Sequence, residues 1–193
     1  SLLNLAAFIW IYSRMALPIY VISVRSFTDR HKHIEHTARA LGFDFQYVWR
    51  FDFDQLTEED RRGVDAGLRP KSVSNVLKHL EAQRMFLKTN SDVALILEDD
   101  VILFKNFITK LERVVDKAKL LDPGWLLFLG GADNKVDRRF LESADMELFE
   151  SPLTTAEAYL VDRFGCEARV KWLDRNIIDR QADHQLKLID NAL

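Results

Sequence analysis

Ten residues near the middle of the chain, Ala94-Leu95-Ile96-Leu97-Glu98-Asp99-Asp100-Val101-Ile102-Leu103, set three consecutive carboxylates between two apolar runs. Burying three adjacent charges without a cation is prohibitively costly, so the apolar run before them has to end where they reach solvent or a metal. Val93 to Leu97 therefore reads as a short buried strand that stops at a sheet edge. Side chains alternate in an extended segment, which sends Glu98 and Asp100 to one side and Asp99 to the other. Two carboxylates on one side can grip Mg²⁺ or Mn²⁺ while a diphosphate supplies further oxygens. The plainer alternative is an acidic turn that caps the helix beginning near Lys105.

Strand-like and helix-like stretches alternate on both sides of this segment. Ile19 to Val24 is apolar and β-branched, broken by one serine, as expected of a strand buried in a parallel sheet. Ser26 and Asp29 have the spacing of a capping box; Ile34, Ala38 and Leu41 follow at helical spacing, and Gly42 can end that helix. Phe45 to Trp49 is a second candidate strand, whose end at Arg50-Phe51-Asp52 falls on the edge of the first loop. Residues 54–71 are polar and read as a solvated turn and loop. Val73, Val76, Leu77 and Leu80 then form a helical stripe that continues to Phe86 and Leu87, with Asn90 and Ser91 breaking it. Phe107, Leu111, Val114, Val115 and Ala118 mark the helix after the acids. Asp122-Pro123-Gly124 turns into a strand at Trp125 to Leu129, which stops at Gly130-Gly131. Ala158 to Val161 reads as a further strand, and Arg163 to Leu173 as a helix with Phe164, Ala168 and Trp172 on its apolar face. The fold expected is an open, mostly parallel α/β sheet flanked by helices, Rossmann-like, with its ligand crevice beyond the carboxyl ends of the strands.

The 193 residues are enough for a single core, and the formal net charge of −3 provides no global field for nucleic acid or an anionic membrane. Any anion has to be bound locally. One cysteine, Cys166, cannot form an internal disulfide and fits a reducing compartment. Asn4, Arg14 and Pro18 interrupt the apolar start before it reaches the ~20 residues a membrane span needs, and no positive residue opens a secretory signal. Met15 precedes the first strand like a natural start, so residues 1–14 are expected to be an appendage and 15–193 one domain, with a shortened C-terminal side. The histidines 31, 33 and 36 do not share a helical face as zinc ligands at i, i+4 would. Phe43, Phe45, Tyr47, Trp49, Phe51 and Phe53 alternate as one face of a strand in the core or as a stacking surface for sugar or base. Cys166, with no evident base nearby, reads as packing.

From Leu17 to Leu188 the sequence resembles glycosyltransferase family 25, the lipopolysaccharide-biosynthesis galactosyltransferases and collagen galactosyltransferase domains. The resemblance is carried in order by Pro18-Ile19-Tyr20-Val21-Ile22-Ser23-Val24 with Arg25-Ser26 and Asp29-Arg30, by Ser74 through Phe86 with His79, and by Ala94 to Val101. Leu129-Gly130-Gly131, Thr155 through Val161 and Asp183-His184-Gln185-Leu186 complete it. Two positions depart from the family pattern: Lys78 stands before His79 where the family has serine, and Phe53 follows Asp52 where glycine is common. The resemblance implies a GT-A fold, a UDP-sugar donor with UDP-galactose first, and Mn²⁺ or Mg²⁺. The implied acceptor is a lipid-linked or lipopolysaccharide core saccharide at the inner face of the cytoplasmic membrane, with at most peripheral association.

On that reading Glu98, Asp100 and Asp183 are the metal ligands, and Asp100 serves the chemistry directly. Val24, Arg25, Arg30, Asp52, His79, Glu98 and Asp99 contact the donor, with Arg25 and Arg30 on its phosphates. Asp183 is either a third ligand or the base that takes the acceptor proton in an inverting displacement; its plainer role is an N-cap for the helix with Leu186 and Ile189. Asp133 and Glu157 are rival bases near strand ends. A non-catalytic sugar-nucleotide-binding domain and a metal-dependent phosphohydrolase or nucleotidyltransferase are the other functions that strand-end acids serve.

Overall fold

The computed structural model describes residues 17–130, 148 and 155–193. Met15, Gly131 and Asp133 lie outside them. Among the described residues five strands form one sheet in the order β2-β1-β3-β5-β4: β1 (Ile19–Ile22), β2 (Gln46–Val48), β3 (Val93–Glu98), β4 (Leu126–Phe128) and β5 (Ala158–Asp162). The pairs β1–β2 and β1–β3 are parallel, while β5 runs antiparallel to both β3 and β4. Four strands thus point one way and their carboxyl ends share one edge.

The continuous apolar runs of β1, β3 and β5 follow from helices on both sheet faces. Tyr20, Ile22, Ala94, Ile96, Tyr159 and Val161 enter one core. It is covered by α2 (Pro70–Leu87), α4 (Arg163–Leu173) and α5 (Ala182–Asp190), through Val73, Val76, Leu80, Cys166 and Leu186. Ile19, Val21, Leu95, Leu97 and Leu160 enter the other core, under α1 (Thr28–Leu41) and α3 (Phe107–Ala118), through Ile34, Leu111 and Val115. Val21, Leu95, Leu97 and Leu160 have no exposed surface; burying each contributes about 1.5–3 kcal/mol. Leu95→Ala, in the central strand, would open a cavity with no neighbour free to fill it.

Two local expectations need correction. Helix α1 begins at Thr28 after Phe27, and no side chain caps it, so Ser26 and Asp29 form no capping box; the Asp29 carboxylate pairs with Lys32 instead. In α4 the buried residues are Gly165, Cys166 and Arg169, while Phe164 is exposed. The cap of that helix is Asp162, whose carboxylate takes the Gly165 N–H, and Arg169 is drawn inward by Asp190 of α5 at 2.7 Å. A paired charge has taken the inner face that apolarity assigned to Phe164. Cys166 is fully buried, and burial pushes its thiol up to about 12, as packing requires. No helix among the described residues is long and apolar enough to cross a membrane.

Candidate functional site

The sheet register decides which side chains meet at the carboxyl edge. Ile22 pairs with Glu98 across β1 and β3, so Ser23 and Asp99 come side by side and the Ser23 hydroxyl donates to Asp99 Oδ2 at 2.5 Å. Leu97 pairs with Ala158 across β3 and β5. That brings Glu157 to the same end, where the Glu98 N–H donates to its carbonyl at 2.8 Å.

Strand β3 stops at Glu98, and Asp99 and Asp100 lie in a turn, so strand alternation does not govern Asp100. Glu98 faces α2, accepting from Asn75 Nδ2 at 2.9 Å and lying 3.3 Å from His79 Nε2. The other His79 nitrogen is 3.0 Å from the buried Tyr159 hydroxyl. Asp99 and Asp100 turn instead toward α1, where Arg30 Nη1 is 2.8 Å from a carboxylate oxygen of each. Of the three acids, Asp99 is nearly enclosed and Asp100 is half exposed.

A second wall comes from the loop after β2. Lys78 of α2, buried to 1%, donates to Asp52 Oδ1 at 2.6 Å and to the Val48 carbonyl at 3.0 Å. The other Asp52 oxygen accepts from the Arg25 N–H at 3.1 Å, and Arg25 Nη1 reaches the Trp49 carbonyl at 2.8 Å. Ser74 holds the Phe51 carbonyl at 2.6 Å, and Phe51 has a left-handed backbone at φ 70°, an uncommon conformation for a bulky residue. Loop 48–53 is therefore pinned carbonyl by carbonyl against β1 and α2. Between the two walls lies a cleft lined by Ser23, Val24, Phe27 and Arg30 on one side and by Phe53, Lys71, Ser74 and Asn75 on the other, with Glu98 and Asp99 at its end.

Charge is unevenly distributed along this edge. Burial raises the Asp52 carboxyl, but the Lys78 hydrogen bond, the Arg25 N–H and both positive charges outweigh it and leave it below the usual carboxylate range. Glu98 is likewise lowered: burial opposes this, and the His79 and Asn75 contacts with Arg30 prevail. Glu157 moves the other way, raised by burial and by the negative charges of Glu98 and Asp100. Arg30 is held more firmly protonated, chiefly by its bond to Asp99. The edge thus combines two carboxylates lowered by their partners with one, Glu157, raised by burial and neighbouring negative charge.

Val24, Arg25, Arg30, Asp52, His79, Glu98, Asp99 and Asp100 are all brought to this edge. Val24 contributes its carbonyl, which accepts from Phe27 N and lies 3.0 Å from His31 Nε2. Asp183 sits in the first turn of α5 after Gln181, so it is not the N-cap, and its ion-pair neighbour is His184 at 4.0 Å. Among the described residues no contact joins it to Glu98, Asp99 or Asp100. His31 and His33 serve separate partners, Ser23 and the Val101 carbonyl. The partly buried rings of Phe45, Tyr47 and Trp49 touch in succession beside His31, Phe45 edge-on to Tyr47, while Phe53 alone of the aromatic series lines the cleft. Ser23, Asn75, Lys78 and Tyr159 were not singled out by sequence as site residues. Ser23 did carry a signal, as the one polar residue in an apolar strand.

The oxygens at this edge are hard donors of the kind Mn²⁺ and Mg²⁺ take. Among the described residues no three His, Cys, Asp or Glu side chains form a ligating group. A self-contained metal cage is therefore absent there, but one or two carboxylates suffice for an ion that takes its remaining ligands from a diphosphate. The carboxylates present fit a metal of that kind, and Asp100 is more accessible than Asp99.

A central strand ending in acids, beside a loop and helix that follow a parallel neighbour, defines an open α/β protein, a class whose ligand crevices lie beyond the carboxyl edge of the sheet. The chain belongs to glycosyltransferase family 25 (LPS biosynthesis protein), whose model matches residues 16–161, about three quarters of its length. By family it is a glycosyltransferase of lipopolysaccharide biosynthesis, with a sugar donor and an acceptor as substrates. The match includes both walls of the cleft and Glu157, and ends before Asp183. Comparison with curated proteins returned no match.

Proposed function

We propose that the chain transfers a hexose, galactose first, from a UDP-sugar to a saccharide of lipopolysaccharide or lipooligosaccharide, with inversion, on a GT-A fold and with Mn²⁺ or Mg²⁺. The observation that carries this reading is the cleft itself. Arg30 of α1 and Lys71 of α2 line the same space as the acids that end β3, and its walls are pinned by hydrogen bonds from Ser23, Ser74 and Lys78. Arg30 lines the cleft and Arg25 adjoins Asp52, and both would meet phosphate oxygens. Asp100 would hold the metal, which would supply neutralisation of the charge that develops on departing UDP. We place the reaction at the inner face of the cytoplasmic membrane, a setting that suits the unpaired Cys166.

In the displacement, the acceptor oxygen bonds to the anomeric carbon as the bond from that carbon to the UDP oxygen breaks, and the electron pair leaves with UDP. The acceptor proton passes to a carboxylate. Geometry favours Glu157 over Asp183 for that step: Glu157 stands beside Glu98 at the carboxyl edge, and its raised affinity for protons suits a base.

The test is radiolabelled transfer from UDP-galactose to lipooligosaccharide acceptors with Mn²⁺. Asp100→Ala should nearly abolish transfer with an unchanged fold. Glu157→Gln should cost kcat about 10²–10⁴-fold with donor affinity intact, against a smaller loss for Asp183→Asn. The reverse order would assign the base to Asp183. Full transfer by Asp100→Ala would remove the proposed site, binding of UDP-galactose without transfer would favour a non-catalytic module, and acceptor-independent phosphate release would favour a hydrolase.

A further inference from the structure

Arg30 occupies the position between Asp99 and Asp100 that a cation shared by those two carboxylates would take. One nitrogen, Nη1, lies 2.8 Å from Asp99 Oδ1 and 2.8 Å from Asp100 Oδ2. The two acids are unequal partners. Asp99 is enclosed and keeps a second donor, the Ser23 hydroxyl, whereas among the described residues the Asp100 carboxylate meets only Arg30. The guanidinium is itself half exposed, at 47%, so its bonds are made in reach of water and are individually weak. Its carbon lies 5.2 Å from the centre of the Phe27 ring, and both side chains line the cleft. The arginine can therefore leave Asp100 without leaving the cleft or its aromatic support.

We propose that Arg30 is the resting counter-cation of the acidic corner: it competes with a divalent metal for Asp100 and, once displaced, turns its guanidinium to the diphosphate that arrives with the metal. This rests on the metal-dependent reading above and deepens it. Electrostatics gives the exchange its direction. A guanidinium and a divalent cation held against the same carboxylate repel each other, so the metal binds the free protein weakly. A diphosphate relieves that repulsion, because it offers oxygens to both cations. Metal and UDP should consequently bind with positive cooperativity, each removing part of the cost of the other.

Two binding measurements test this without any turnover: free Mn²⁺ counted by electron paramagnetic resonance, and UDP affinity by calorimetry at saturating Mn²⁺. Wild type should bind Mn²⁺ weakly alone and more tightly with UDP. Arg30→Ala should bind Mn²⁺ alone about tenfold more tightly, the factor that 1.4 kcal/mol represents, and should bind UDP more weakly at saturating Mn²⁺, so that most of the cooperativity disappears. Arg30→Lys, which keeps the charge but not the planar fork, should fall between them. If Mn²⁺ binds wild type and Arg30→Ala equally, the competition is refuted while the metal-dependent reading stands. Unchanged UDP affinity in Arg30→Ala would refute the hand-over to the diphosphate. Absence of Mn²⁺ binding in both proteins, with and without UDP, would overturn the metal requirement and this inference together.

Discussion

Lys78 and Asp52 meet at 2.6 Å with both side chains 1% exposed, whereas Arg30 reaches Asp99 and Asp100 at 2.8 Å from a side chain that is 47% exposed. The lengths are similar and the surroundings are opposite. Lys78 also holds the Val48 carbonyl, and Asp52 also holds the Arg25 N–H, so the buried pair joins α2, the end of β2 and the β1–α1 loop. It has no solvent to compensate either charge if the other is lost. The Arg30 cluster ties α1 to the end of β3 and has water within reach. One pair is therefore a fixture that shapes the cleft, and the other is a contact that a ligand can replace.

The largest effect expected from this difference is on Lys78. Lys78→Met would keep the length of the side chain but leave Asp52 buried without its cation, a loss of about 3–5 kcal/mol. Urea unfolding followed by circular dichroism measures it. Because Asp52 also fixes the Arg25 N–H, UDP affinity should fall as well in conditions where the variant remains folded. A cost below about 1 kcal/mol would show that the two corners are energetically alike.

A second, smaller effect is the acid dependence of the buried pair. The Asp52 carboxyl is lowered in the fold from an ordinary value of 3.8. A depressed carboxyl contributes stability that is fully present above the unfolded value and is lost as pH falls through the folded one. Wild type and Asp52→Asn should differ by a constant amount from pH 7 to about pH 5 and converge below the ordinary carboxylate range. Urea midpoints taken stepwise from pH 7 to pH 2 read this directly. Convergence already near pH 6 would mean that burial, which raises this carboxyl, outweighs Lys78.

The contrast between the corners was partly legible in the sequence. An apolar run that stops at Glu98-Asp99-Asp100 located the sheet edge, because no fold can continue that strand inward. The serine interrupting Ile19 to Val24 sits where parallel register sets it against Asp99; register is a property of two strands, and one strand cannot announce it. Lys78 lies beside Leu77 and His79 within the inward arc of α2, yet its partner is 26 residues away. A lone lysine on an apolar face reads as a surface residue until Asp52 is brought to it. The two departures from the family pattern, Lys78 and the Asp52-Phe53 step, belong to this one corner: Lys78 binds Asp52, and Phe53 and Lys78 both line the cleft. Strand alternation misassigned Asp100 because the strand ends two residues before it. Sequence alone makes Glu157 no more than a rival base, because the 59 residues between Glu98 and Ala158 hide the antiparallel pairing of β3 and β5.

The smallest expected effect is the stability of Arg30→Ala, and salt is what separates it from the buried pair. An exposed ion pair contributes about 0.2–1 kcal/mol, and Asp99 retains the Ser23 hydroxyl when Arg30 is removed. The loss should therefore stay below about 1 kcal/mol in dilute buffer. In about 1 M NaCl, where the screening length falls to roughly 3 Å, the difference between Arg30→Ala and wild type should vanish, because ions of the solvent can then compensate Asp100 as well as a guanidinium does. The cost of Lys78→Met should persist under the same conditions, since no ion of the solvent reaches a carboxylate that is 1% exposed. Equal responses of the two variants to salt would mean that water enters the Asp52 corner, and the division between a fixed wall and an exchangeable one would no longer hold.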